Sequence, residues 1–229
     1  MTLLYTNPLA GPTDVAGFVL EGDGRVSFPE GRMRLESTGA AEDGRSSNIV
    51  YWCPEVFGDG IEVSWDFRPL REPGLAIMFF AAAGRAGEDL FDPSLPVRTG
   101  PYDQYHSGAI NAYHISYFRR RWPDERRFHT CNLRKSHGFH LVAQGADPLP
   151  DVGDAEGTYR VRLTLDTGRV TFAIDGLRLL DWTDDGGLGP VLSTGRLGLR
   201  QMAPLVAEYS NLEVRTCGCL LYTSPSPRD

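Results

Sequence analysis

No stretch of the 229 residues is apolar for long enough to cross a membrane as a helix, which would need about 18 consecutive apolar residues. The opening residues, MTLLYTNPLAGPTD, lack the basic region and apolar run of a signal peptide. A cytoplasmic protein without membrane contact is therefore expected. Cysteine is scarce: Cys53, Cys131, Cys217 and Cys219 form no CxxC pair and no His–Cys spacing of a zinc site. Cys53 and Cys131 are expected to be reduced and buried, and no metal or other cofactor is expected. Lysine is almost missing, with Lys135 alone against 22 arginines, a skew read as genome composition and not as chemistry. Helical periodicity beyond a single turn is missing as well, so that Gly84–Asp92 reads as a loop.

What is present is a charge asymmetry. The net charge of −7 should repel nucleic acid. Residues 98–147, however, hold eight basic residues (Arg98, Arg119, Arg120, Arg121, Arg126, Arg127, Arg134, Lys135) and only Asp103, Asp124, Glu125 and Asp147 as acids. That segment is +4, leaving −11 for the remainder, and it holds all five histidines (106, 114, 129, 137, 140). A basic island on an acidic body suits local capture of an anionic ligand.

Strand signals dominate the rest. Ile61, Val63, Trp65 and Phe67 alternate along IEVSWDF, as do Tyr159, Val161, Leu163 and Leu165 along YRVRLTLD, the pattern of half-buried antiparallel strands. Asp166-Thr167-Gly168 and Asp175-Gly176 read as hairpin connections. About fourteen short strands separated by Gly, Pro, Asp and Asn imply two packed sheets. Residues 1–216 are thus expected to form one domain. The last residues, CLLYTSPSPRD, follow a complete strand and look like a read-through artefact, so 217–229 is expected to be a non-native or disordered tail.

In the basic island, a strand over Ala109–Phe118 puts Asn111, Tyr113, Ile115, Tyr117 and Arg119 on one face and Ile110, Ala112, His114, Ser116 and Phe118 on the other. Neither face is uniformly apolar, so one should line something wet. Thr130, Asn132 and Arg134 share a face of the next strand, and His140, Val142 and Gln144 a face of the one after. If these strands pair, His114, His140, Arg134 and Gln144 converge on one groove.

Two resemblances add to this reading. GRLGLR and AEYSNLEV, near the end of the chain, look like the terminal strands of concanavalin A-like glucanases, in which the last strand returns beside the first. YHSG (Tyr105–Gly108), INAYHISYFRR (Ile110–Arg120) and TCNLRKSHGFHLVAQGADP (Thr130–Pro148) resemble the YesU-like bacterial family, a galectin- and concanavalin A-like group of unknown function. The resemblance implies an all-β concanavalin A-like jelly-roll sandwich of two antiparallel sheets and a setting of saccharide degradation, pectic material included. It carries over no catalytic residues.

Three chemistries draw on residues of these types. Elimination from a uronide needs a neutralised carboxylate, a base and a proton donor. Arg134 and Lys135 could supply charge, Asn111, Asn132 and Gln144 neutral donors, His106, His114 or His140 the base, and Tyr113 or Tyr117 the acid. Hydrolysis needs two facing carboxylates; Asp124 and Glu125 read as loop residues and Glu62 and Asp66 as a solvated face. A lectin-like site needs aromatic platforms and polar side chains, for which Tyr105, Tyr113, Tyr117, Trp122 and Arg119 qualify. The expectation is an enzyme acting on an acidic oligosaccharide, elimination ahead of hydrolysis, with non-catalytic sugar binding as the alternative.

Overall fold

In the computed structural model, which describes residues 1–40, 42 and 47–217, Ile61, Val63, Trp65 and Phe67 are all buried. Glu62 and Asp66 between them face outward and meet Arg162 and Arg160. Alternation thus sets which face of the strand joins the core. The tail proposed for 217–229, Cys217 apart, lies outside the described residues.

Eight strands form one antiparallel sheet: β1 (Leu3–Asn7), β3 (Gly24–Ser27), β4 (Met33–Ser37), β6 (Ile61–Arg71), β11 (Tyr159–Asp166), β12 (Arg169–Ile174), β13 (Leu177–Thr183) and β15 (Val206–Thr216). Their order is β13-β12-β11-β6-β15-β4-β3, and β1 pairs with the far half of β15, Leu3 opposite Arg215. The last strand does return beside the first. Seven strands form the other: β2 (Val19–Glu21), β5 (Ile49–Phe57), β7 (Leu75–Gly84), β8 (Ile110–Tyr117), β9 (Thr130–Ser136), β10 (His140–Ala146) and β14 (Gly195–Met202), in the order β10-β9-β8-β7-β14-β5-β2. The fold is an all-β sandwich of two antiparallel sheets. β1, whose LLYTN gives little alternation, is a strand that the sequence pattern did not single out.

Two apolar clusters follow from the two faces of the seven-stranded sheet. Tyr51, Met78, Phe80, Ile115 and Leu133 point inward and pack on Trp65, Phe67 and Phe172 of the other sheet. Val50, Trp52, Ile77, Phe79 and Ala112 point outward and are roofed by Leu90, Phe91, Tyr102 and Tyr105. That roof is the crossover from β7 to β8. It is pinned by a buried Arg98–Glu21 pair (2.8 Å), by Arg196–Asp89 (2.6 Å) and by Arg200 donating to the Gly100 carbonyl (2.8 Å). Trp52 lies directly on Gly198, where an added Cβ would stand 2.4 Å from the indole, so a larger residue there would lift the ring.

Two short helices interrupt the strand pattern: α1 (Asp103–His106) and α2 (Pro123–Phe128). Asp124 and Glu125, expected in a loop, lie in the first turn of α2. Pro123 begins the helix with its φ already suited to it, and Glu125 accepts from the Trp122 N–H (3.0 Å), closing the end. His129, with φ 41°, ends it, which delays β9 to Thr130 from the Arg127 start that the pattern suggests.

Candidate functional site

The crossover leaves part of the outward face uncovered. There a cleft of about 550 Å³ opens, lined by Ser116, Asn132, Ile77 and Met202 on its floor and by Tyr102, His106, Phe139, Arg134, Arg119, Arg121, Trp122 and Glu125 on its walls. Register explains the floor: Ser116 of β8 lies opposite Asn132 of β9 and Ile77 of β7. The Asn132 amide meets that of Gln144 on β10 (2.8 Å).

Each wall is an aromatic ring stacked with a guanidinium. Arg134 lies 3.7 Å from the Phe139 centroid and donates to the Phe139 carbonyl (3.0 Å). His106 packs against Phe139 (4.5 Å) and edge-on to Tyr102 (4.9 Å). At the α2 side, Arg121 lies 4.8 Å from the Trp122 ring. Phe139 and Trp122 remain 47% and 50% exposed, which leaves ring surface for a partner. Arg119 is held by Glu125 (2.7 Å) and Thr130 Oγ1 (2.7 Å). Glu125 is the one carboxylate among the lining residues, and it is committed to Arg119 and to the helix cap. The cleft is therefore cationic, and Arg200, buried beneath Tyr102 and Tyr105 (4.7 and 5.0 Å), adds to it. Burial pushes the Tyr102 phenol up to about 12, against the pull of Arg200 and Arg134.

Of the residues singled out in the sequence, the cleft gathers His106, Arg119, Trp122, Asn132 and Arg134. Gln144 stands behind Asn132. His114 lies beneath the floor, 0% exposed, packed on Phe79 (5.0 Å) and under Tyr102 (5.6 Å). Both ring nitrogens are buried without a protein partner. Burial, with Arg134, His106 and Arg200 nearby, holds it well below the usual imidazole range, as a neutral ring. The groove imagined for His114, His140, Arg134 and Gln144 does not form. A shift in the β9–β10 register between Leu141 and Ala143 places His140 opposite Lys135, while Gln144 pairs with Asn132.

Tyr113, Tyr117 and Lys135 point to the other side of the sheet. Tyr117 is buried in the core and accepts from Trp65 Nε1 (3.1 Å). Tyr113 donates to Asp184, which also pairs with Lys135 (2.6 Å); Tyr113 accepts from the Leu192 N–H (3.0 Å). Burial raises the Asp184 carboxyl, but hydrogen bonds from Lys135 and Tyr113 outweigh it and leave the group below its usual range. The lone lysine is thus a structural cation holding the 184–192 segment. Asn111 lies beyond the cleft and accepts from the His137 N–H (3.1 Å). Tyr105, fully buried, serves the roof. Cys53 and Cys131 are free and buried.

The wall residues Tyr102, Phe139 and Arg121 were not picked out from the sequence. Arg121 was within reach, because alternation puts it on the face of Arg119 while Arg120 turns inward to Asp147 (3.1 Å) and Asp151 (2.7 Å). Tyr102 gave no signal, since its place depends on how the crossover folds. Among the described residues, no cluster of His, Cys, Asp and Glu is suited to a metal ion, and no helix is long and apolar enough to cross a membrane.

Comparison with known proteins agrees on the fold. An uncharacterised Bacillus subtilis protein, YesU, is 54% identical over 212 residues, which is 92% of this chain and 94% of that protein. A crystal structure from the same species, of a protein of unknown function with a galectin-like fold, superposes with TM-score 0.91 at 52% identity over 94% of this chain and 96% of that one. The carbohydrate-binding module CBM66 of Bacillus subtilis shares the fold alone, with TM-score 0.56 at 13% identity over 87% of this chain and 96% of its own. So does the carbohydrate recognition domain of Emp46p, at 0.61 and 14% over 93% and 97%. Residues 2–214 match the family described as Domain of unknown function (DUF1961), and the chain belongs to that family.

Proposed function

We propose that the protein binds an acidic oligosaccharide in this cleft, the saccharide lying along β8 and β9 between the Phe139–Arg134 and Trp122–Arg121 stacks. One observation carries the reading: each half-exposed ring of the cleft has a guanidinium against it. Aromatic surface accepts the C–H face of a sugar ring, and a guanidinium fork reads a carboxylate with two hydrogen bonds. A sugar carrying a carboxylate satisfies both at once. The sandwich neighbours named for carbohydrate binding share the architecture, which by itself assigns no ligand.

Binding fits the geometry better than turnover. Hydrolysis has no second carboxylate in the cleft to work with. Elimination retains one supporting observation, the placement of His106 beside Tyr102 and Arg134, but His114, His140, Tyr113 and Tyr117 do not reach the cleft.

Calorimetric titration with galacturonate oligomers, against neutral galactose oligomers of equal length, tests the reading. Saturable binding of the acidic series, with no unsaturated product in the ultraviolet and no new reducing ends, is the expected result. Equal affinity for the neutral series would remove the role of the arginines. Absorbance of an unsaturated uronide would restore elimination, with His106 as its base.

A further inference from the structure

A second hollow, of about 230 Å³, lies past the opposite end of β8. It is lined by Arg85, Asn111, Lys135, Ser136, His137, Leu188, Gly189, Pro190 and Leu192. Three separate segments make it: the start of the β7–β8 crossover, the β9–β10 turn, and the 184–192 segment. The last is fixed in place, because Lys135 pairs with Asp184 and donates to the Gly189 carbonyl (2.9 Å), and Leu192 N–H donates to Tyr113 (3.0 Å). The hollow is therefore a built one.

Lys135, Asn111 and His137 Nε2 are matched within the fold, but not every polar group of the hollow is. Ser136 is 1% exposed, yet its hydroxyl has no protein partner. A buried hydroxyl left unmatched is unfavourable, so it marks a place where something else completes the set. His137 donates from Nε2 to the Ser107 carbonyl (3.1 Å), which leaves Nδ1 as an acceptor. Arg85 is exposed at the rim. Leu188, Pro190 and Leu192 give the opposite wall an apolar surface. Hydroxyl-matching groups facing an apolar wall suit a pyranose ring.

The hollow and the cleft share a ridge. His137 lines the hollow, His106 and Phe139 line the cleft, and the Gly138 N–H donates to the His106 carbonyl (2.6 Å) between them. From Asn111 to Ser116 the strand runs about 16 Å at its usual rise per residue, a span that several linked sugars would cross.

Resting on the sugar-binding reading above, we infer that this hollow is a second saccharide subsite, and that the ligand is a chain long enough to fill the cleft, pass over the His106–Phe139 ridge and set a further sugar against Ser136, Asn111 and His137.

Galacturonate dimer and hexamer, added to the full chain with its histidine side chains observed by NMR, test this. His106 reports the cleft and His137 the hollow. The dimer should shift His106 alone and the hexamer both, with the hexamer binding at least tenfold more tightly. Ser136→Ala should leave the dimer affinity unchanged and should not lower the unfolding midpoint, since the hydroxyl it removes has no protein partner, while weakening the hexamer about three- to tenfold. Equal affinities for the two lengths, or a hexamer that shifts His106 without His137, would overturn the second subsite and leave the cleft standing. Failure of both oligomers to shift His106 would overturn the cleft reading and this one with it.

Discussion

The two faces of β8 and β9 carry the same kinds of residue and put them to opposite uses. Outward, Arg134 and, just past the strand end, Arg119 and Arg121 stand at a cleft with rings and guanidinium groups still partly open. Inward, Lys135 and Arg120, one residue away in sequence, are each buried and committed to carboxylates. Tyr102 and Trp122 meet solvent, whereas Tyr113 and Tyr117 are sealed inside. In a strand the next residue points the other way, which separates Arg134 from Lys135. Past the end of β8 the left-handed backbone of Phe118 (φ 47°) breaks the alternation, so that Arg119 reaches the cleft although Tyr117 faces inward. Charge density in a sequence window therefore overstates a site by counting both.

The comparison can be broken most severely at the inward cation. Lys135→Ala leaves Asp184 buried without its counter-charge and should destabilise the fold by about 3–5 kcal/mol, read from denaturant unfolding. A loss under about 1 kcal/mol would show that the pair holds little. On the outward face the balance reverses. Arg134→Ala should weaken acidic-oligomer binding by roughly ten- to a hundredfold, the worth of a charge-assisted hydrogen bond, with the unfolding free energy changed by no more than about 1 kcal/mol. Unchanged affinity would detach Arg134 from recognition.

His114 sharpens the contrast with the smallest effect. It is held neutral in the folded protein, well below the ordinary imidazole value of 6.5. The unfolded chain therefore binds a proton below 6.5 that the folded one refuses. Stability should fall as pH drops from that point, by up to about 1.4 kcal/mol per pH unit from this group. His114→Phe keeps a ring on Phe79 and Tyr102 and should flatten that slope without weakening oligomer binding. A variant with the same pH dependence as the parent would mean that the imidazole is not buried neutral.

Much of the architecture was legible because period-two alternation is a local property: IEVSWDF and YRVRLTLD declare their faces without reference to anything else. The YHSG and TCNLRKSHGFHLVAQGADP strings carried the family. The site was legible only in part. His106, Arg119, Trp122, Asn132 and Arg134 lay within the chosen window, but so did Tyr113, Tyr117, Lys135 and His140, which serve elsewhere. What separates the groups is which face of β8 and β9 is covered by the second sheet, the irregular register between Leu141 and Ala143, and the path of the crossover that sets Tyr102. Each is fixed by pairing and packing between segments, which the residue pattern of a single strand does not contain.

The half-exposed Trp122, stacked on Arg121 at the cleft rim, gives the molecule its own optical signal. Trp52 and Trp65 are sealed in the two cores, and Trp182 is half-buried beside Asp184 and Asp185. Iodide, drawn by the guanidinium at Trp122 and repelled by the carboxylates at Trp182, should therefore quench chiefly the rim indole. A saccharide laid across that ring would shield it and shift its emission to the blue, and occupancy could then be followed in dilute solution with no label attached.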